Sequence, residues 1–287
     1  MQKNHGASSL RRSRTIPHPI KRLNLTDRDI EALSIVFLQR AVSRRQLQRL
    51  NVFTSTPVAN ARLRMLFDGR YLKREFAVSR LGGTEVLYLL GPAAVEVVAP
   101  RLGIDQAEVS RIARAHSPAA LTHAQHITDV RISFEGSMPE GVHVEFLAEC
   151  QVRHEYTVRT EKGTTNHVLK PDGAVLIERG TDRAIAFLEI DLSHVGLLPW
   201  KRTCSSYSTY VKLGLHQSAY GVETAEILCI TSGGLRRISH LSAIASQMAT
   251  PMRFAHFSDV LKNGPFGAIW QSFGSPVPTA FFSEVRP

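Results

Sequence analysis

No stretch of this 287-residue chain is apolar for long enough to cross a bilayer. The best candidate, 86–99, is interrupted by Gly91, Pro92 and Glu96, short of the roughly 18–20 residues a span requires. The N-terminus has no apolar signal core. It is polar and basic, so a cytoplasmic protein with no membrane partner is expected. Cysteine is scarce as well. Cys150, Cys204 and Cys229 are widely separated, which excludes a disulfide framework and a zinc site made from paired cysteines. They read as ordinary buried or half-buried thiols. Internal repeats and long low-complexity tracts are missing too. The length suits one large domain or two ordinary ones.

Charge is present in excess, and unevenly. The chain carries a net charge of +10. Residues 1–90 hold 17 Lys/Arg against 6 Asp/Glu, and residues 91–287 hold 18 against 19. The whole positive excess therefore sits in the first third. Such a segment attracts a polyanion, and double-stranded DNA is the expected partner.

The pattern of that third supports this expectation. Residues 1–22 form a basic arm (Arg11, Arg12, Arg14, Lys21, Arg22) rich in Ser and Pro, expected to be disordered. Thr26-Asp27-Arg28-Asp29 opens a helix with a cap and early acids, and its apolar residues Ile30, Leu33, Val36 and Phe37 fall at helical spacing. Ser43 caps a second helix, which carries Leu47 and Leu50 and opens with Arg44 and Arg45, expected to face DNA together with Asn60, Arg62, Arg64 and Arg80. Pro57 suits the first turn of a third helix, running to Gly69. It would bury Leu63, Leu66 and Phe67 and turn Asn60, Arg62 and Arg64 outward. Two strand-like runs follow, 71–78 and 85–90, with Arg80 in the connection. Three short helices and a hairpin over 23–90 make a winged helix-turn-helix. Its third helix would enter the major groove, and Arg80 at the wing tip would meet phosphate or the minor groove.

Residues 91–139 read as a helical connector, with helices near 93–102, 105–116 and 117–134. His116, His123 and His126 lie in it, but no cysteine or carboxylate motif accompanies them, so helix packing or a surface position explains them better than metal ligation. From 140 to 287 strands (142–152, 225–231, 252–260) alternate with helices (near 200–213 and 236–248), which indicates a mixed sheet with helices on both faces. The last ~20 residues are expected to be irregular.

Within that region, LKPDGAVLI (169–177) and RAIAFLEIDLS (183–193) read as the arms of a hairpin turning at Gly180-Thr181, a Gly-first turn whose twist suits the strands. Symmetric pairing about it sets Asp172 opposite Glu189, Lys170 opposite Asp191, Ala174 opposite Phe187 and Glu178 opposite Arg183. The alternating sets make both faces apolar near the turn and collect the charges at one end. Three acids on an apolar strand pair repel one another and are costly to bury unless a cation joins them. That is a metal-site pattern, and it depends on register, because a one-residue bulge would redirect part of the set.

Pro171-Asp172 and Glu189-Ile190-Asp191 resemble the core of the PD-(D/E)xK, or restriction-endonuclease-like, nucleases. With His123-Ala-Gln-His-Ile-Thr-Asp129-Val130, Lys170-Pro-Asp-Gly173, Phe187-Leu-Glu-Ile-Asp191, the helix bearing Lys201, Arg202, Tyr207 and Tyr210, and Ile269-Trp270, the chain resembles the replication-relaxation family of plasmids and mobile elements. The resemblance implies an α/β protein in which a winged helix precedes a mixed-sheet nuclease-like domain. It implies Asp172, Glu189 and Asp191 as ligands of Mg²⁺, with Glu149 as a further carboxylate. The nuclease pattern places a lysine where this chain has Asp191; Lys170 or Lys201 would have to replace it.

The expected function is therefore a DNA-binding protein of a plasmid or mobile element acting in replication, transfer or mobilisation. Its partners would be duplex DNA and replication or relaxase machinery, with a homodimer among the assemblies considered. Two alternatives stand beside it: an active Mg²⁺-dependent endonuclease or nickase, and a transcriptional regulator.

Overall fold

Thr26 starts the first helix as the sequence requires. Its hydroxyl accepts from the Asp29 N–H, and the Asp29 carboxylate accepts from the Thr26 N–H, a reciprocal cap that satisfies two otherwise orphaned donors. The computed structural model describes residues 17–18, 23–78, 84–114, 117–161, 163–193, 196–275 and 277–280. Most of the basic arm, Arg80 and His116 lie outside the described residues. The chain divides into two units, Met1–Thr122 and His123–Pro287, so the stretch 91–139 is shared between them.

In the first unit α1 (Asp27–Leu38) is followed by β1 (Val42–Ser43), α2 (Arg44–Arg49) and α3 (Thr56–Asp68). Ser43 and Gln46 repeat the reciprocal cap at α2. Pro57 occupies the first turn of α3, where its missing N–H costs nothing. β2 (Leu72–Val78) and β3 (Thr84–Leu90) pair antiparallel from Leu72↔Leu90 to Val78↔Thr84. β1, which the sequence reading did not anticipate, pairs with the other edge of β3 and gives the order β1-β3-β2. α4 (Val95–Leu102) packs on α1, and α5 (Gln106–Ile112) starts from an Asp105 cap. Leu33, Phe37, Leu47, Leu63, Leu66 and Leu87 are fully buried in this unit.

The second unit begins within α6 (Pro118–Gly136), at His123. Its strands are β4 (Val142–Ala148), β5 (His154–Thr160), β6 (Gly163–Leu169), β7 (Gly173–Arg179), β8 (Asp182–Asp191), β9 (Thr224–Thr231) and β10 (Met252–His256). The helices are α7 (Leu197–Lys212), α8 (Leu215–Tyr220), α9 (Leu235–Gln247) and α10 (Phe257–Asn263). Five strands form one mixed sheet in the order β10-β9-β8-β7-β4. β10, β9 and β8 run parallel, and β8-β7-β4 are antiparallel.

Both faces of this sheet are covered, which is why its central strands read as nearly continuous apolar runs. On one face Ala174, Ile185, Phe187, Ile227 and Cys229 pack against Trp200, Cys204, Tyr207 and Tyr210 of α7 and Ile238 and Leu241 of α9. On the other Val175, Ile177, Ala186, Leu188 and Ile190 pack against Val130 and Phe134 of α6, Val260 of α10 and Trp270.

The hairpin register is the expected one: Ala174↔Phe187, Leu176↔Ile185 and Glu178↔Arg183. Gly180 has φ +60°, the conformation a Gly-first two-residue turn demands. Two local expectations are corrected. The first arm starts at Gly173, because Leu169 ends a separate two-stranded ribbon, β5-β6, paired from His154↔Leu169 to Thr160↔Gly163. The strand expected over 142–152 stops at Ala148 and passes into a short 3-10 turn, Glu149–Gln151.

Candidate functional site

The carboxylates of the second unit gather where the β7–β8 ladder fails. Register carried back from Gly173↔Leu188 would put Pro171 opposite Ile190, and proline has no N–H to continue the ladder. The chain bulges instead. The Asp172 N–H donates to the Leu188 carbonyl at 3.0 Å, so Asp172 and Gly173 together face Leu188. Gly173 is needed here, since a Cβ would stand 2.9 Å from Phe146 Cζ and 3.1 Å from the Leu147 carbonyl oxygen. The backbone of Ile190 then finds side-chain partners. Its N–H donates to Asp172 Oδ2 at 2.7 Å, and its carbonyl lies 2.9 Å from His123 Nε2. His123, from α6, thus supplies the donor that Pro171 lacks.

His123 Nε2 also lies 3.3 Å from Asp172 Oδ2. Burial opposes charge on this imidazole, but the hydrogen bond and negative charge of Asp172, the Ile190 carbonyl and nearby Glu189 outweigh it and push its pKa up to about 9. It is therefore an imidazolium at neutral pH. Glu189 accepts a hydrogen bond from the Tyr207 hydroxyl at 2.7 Å. Burial and the Asp172 charge raise its pKa well above the usual carboxylate value, against the lowering effects of Tyr207 and His123. The same surroundings keep the Tyr207 phenol and the Cys229 thiol protonated, and burial pushes Cys204 up to about 12. None of these thiols is poised as a nucleophile.

Asp191 sits on the same strand, 4% exposed. Arg237 of α9 grips it bidentately, Nη2 to Oδ1 at 2.8 Å and Nε to Oδ2 at 2.9 Å. The Thr231 hydroxyl donates to Oδ2 at 2.7 Å, and the Ser193 N–H to Oδ1 at 3.2 Å. Burial works against its charge, but these donors hold its pKa below the ordinary value. Arg237 and Thr231 were absent from the sequence reading, and no motif around them signals the contact. The sequence reads His123 and His126 as packing or surface residues; His123 instead joins the site, while His126 packs, its ring 4.6 Å from that of Phe257.

The expected pairing of Lys170 with Asp191 is corrected. Once the bulge removes Lys170 from the ladder, its Nζ reaches Glu149 at 2.8 Å, while Asp191 lies beside Thr231 of β9. Lys201 is exposed near the start of α7. The Glu178–Arg183 cross-strand pair is present at 2.7 Å.

The cations that join these acids are therefore side chains of this chain. Asp172 meets His123, Asp191 meets Arg237, Glu149 meets Lys170, and Glu189 accepts from the Tyr207 hydroxyl. Asp172, Glu189 and Asp191, expected together as a three-carboxylate Mg²⁺ site, thus each have their own partner within the protein, and a hard divalent ion would have to compete for oxygens already engaged. Among the described residues no three His, Cys, Asp or Glu side chains form a metal-ligating group.

In the first unit the expected DNA-facing residues are also sorted. Asn60 is exposed on α3. Arg62, expected to point outward, instead binds buried Asp29 through Nε and Nη2 and donates to the Asn24 carbonyl at 2.8 Å. Arg64 binds Asp68 at 2.9 Å, one helical turn along. Buried acids in α1 and α3 draw both guanidinium groups inward, because an unpaired buried carboxylate would be costly. Arg44 is half-buried and Arg45 exposed at the start of α2. Arg28, Arg49, Arg70 and Lys73 are exposed besides.

The model of the Replication-relaxation family matches residues 33–225, about two-thirds of the chain. This protein belongs to the replication-relaxation family. No curated protein matches it. Among solved structures, restriction endonuclease FokI is similar with a TM-score of 0.30 at 12% identity, over 90% of this chain and 48% of that one. The replication-relaxation chain thus spans about half the length of that structure. No helix among its described residues is long and apolar enough to cross a membrane.

Proposed function

We propose that this replication-relaxation protein is a DNA-binding accessory protein of a plasmid or mobile element, acting in replication, transfer or mobilisation without cutting DNA itself. In this reading the first unit is a winged helix that grips duplex DNA. The second is a PD-(D/E)xK-like core retained as a scaffold for partner machinery. Family membership supports the replication-related setting. The charge excess of residues 1–90, the helix–helix–helix–hairpin order and the exposed bases Arg28, Arg45, Arg49, Arg70 and Lys73 support duplex binding.

One observation carries the choice against cleavage. Asp191 stands where the nuclease pattern has a lysine, and the guanidinium next to it is committed to Asp191 by two hydrogen bonds. A lysine there would be free to orient water and offset charge on a reacting phosphate; a closed Asp–Arg pair does neither. The test is to incubate full-length protein with supercoiled plasmid and Mg²⁺ or Mn²⁺, and to measure duplex binding at several salt concentrations. Salt-sensitive binding without nicking is expected. Metal-dependent nicking that is lost in Asp172→Ala would replace this reading with the endonuclease one.

A further inference from the structure

The exposed side of α3 offers little chemistry, and that makes one residue conspicuous. Pro57, Asn60, Ala61 and Arg64 fall at i, i+3, i+4 and i+7 and so share one strip of the helix. Pro57, Asn60 and Ala61 are exposed, whereas Arg64 is bound to Asp68 and Arg62 to Asp29 and Asn24. Thr56 shares its hydroxyl with Gln48 at 3.4 Å. Asn60 is the one residue of α3 whose side chain sets an N–H donor and a carbonyl acceptor side by side in a plane.

The strip faces a polyanion if it faces anything charged. The unit that carries it holds the entire positive excess of the chain, and exposed Arg45 and Arg49 lie on the preceding helix. We infer that Asn60 reads an adenine edge in the major groove, with the small Ala61 beside it against a thymine methyl. This rests on the reading of α3 as the helix that enters duplex DNA. Adenine presents an N7 acceptor and an N6–H donor there, which an amide matches with two hydrogen bonds. Guanine presents two acceptors and leaves the Asn carbonyl unpaired. Arg62 and Arg64, the residue type that pairs best with guanine, are engaged within the protein. The site should therefore be marked by an A·T pair under α3 rather than by a G·C pair.

The experiment selects bound duplexes from a random pool with full-length protein and then probes the enriched site. Wild type should enrich an adenine whose replacement by 7-deazaadenine, which lacks the N7 acceptor, weakens binding by about 2- to 13-fold, the worth of one hydrogen bond. Asn60→Ala, which removes both hydrogen bonds, should lose affinity for the enriched site by about 5- to 150-fold and be indifferent to the 7-deaza substitution. The deaza arm uses the wild-type chain, so it does not depend on how any variant folds. An enriched site in which no 7-deazaadenine weakens wild type, or an Asn60→Ala variant that keeps the wild-type motif and affinity, overturns the inference and leaves DNA binding standing. Absence of duplex binding at low salt overturns both.

Discussion

Asp191 and Arg237 meet through two parallel hydrogen bonds of 2.9 and 2.8 Å although they are 46 residues apart in sequence. β8 ends at the first and α9 carries the second in its opening turn, so the pair ties the end of a central strand to a helix covering one face of the sheet. Its carboxylate is nearly inaccessible and its guanidinium only 18% exposed. Truncating one partner of such a pair strands the other's charge in a poorly solvated place.

Arg237→Ala should therefore cost about 3 kcal/mol of unfolding free energy, the low end of the range for breaking a buried pair because Arg237 keeps some solvent. Asp191→Ala with Arg237→Ala should be less damaging than Arg237→Ala alone, since no charge remains to be orphaned. Urea unfolding of the four proteins measures this. A double variant as unstable as the sum of the singles would mean the two residues act independently. The Asp191 carboxyl has a lowered folded pKa, so its contribution is present above its unfolded value and is lost as pH falls through the folded one.

Asp191→Lys restores the charge of the nuclease pattern in sequence but not in space. The new ammonium would face Arg237 instead of a carboxylate, with Thr231 and the Ser193 N–H also left as donors without an acceptor. The substitution should destabilise the second unit and yield no nicking of supercoiled plasmid in Mg²⁺ or Mn²⁺. Cleavage by a folded Asp191→Lys protein would show that the core lacks only that cation.

Stability should fall with rising pH across the range where His123 discharges. The folded pKa of about 9 lies above the ordinary imidazole value of 6.5. The interaction is fully present below about pH 6.5 and is lost as pH rises through about 9. With both side chains of the His123–Asp172 pair partly exposed, a loss of about 1–3 kcal/mol is expected over that window. Urea titrations at pH 6 and pH 9.5 measure it, and His123→Gln should flatten the difference. Glu189→Gln keeps an acceptor for Tyr207 without the charge, and should be neutral or stabilising at pH 8.

Much of this arrangement was legible in the chain. Gly180-Thr181 and the period-2 pattern on each side gave the hairpin register, and Thr26, Ser43 and Pro57 marked three helix starts. The bulge had a signal in Pro171, which cannot donate to the ladder, but symmetric pairing ran straight through it. The β5-β6 ribbon was missed because Glu155, Thr157, Arg159, Thr164, Asn166 and Val168 are exposed, so no buried face imposed an apolar alternation. The Asp191–Arg237 and Asp29–Arg62 pairs join residues 46 and 33 apart. Nothing local distinguishes those arginines from solvated ones; only the fold reveals which buried acid each must neutralise.

The arginines of the first unit should now separate by role. Arg62 closes a buried carboxylate, so Arg62→Ala should lower thermal stability by several degrees. That follows from leaving Asp29 unpaired, a loss of about 1–3 kcal/mol. At a temperature where the variant remains folded, its salt dependence of duplex binding should match wild type. Arg45 and Arg49 are exposed, and replacing both with Ala should leave stability within about 0.5 kcal/mol. If each meets one phosphate, the double replacement lowers the slope of log K against log salt by about 1.8. Fluorescence anisotropy of a labelled duplex at four salt concentrations, with a melting curve for each protein, separates the two effects. A reduced slope in folded Arg62→Ala together with an unchanged slope in the Arg45/Arg49 variant would reverse the assignment and return Arg62 to the DNA-facing side of α3.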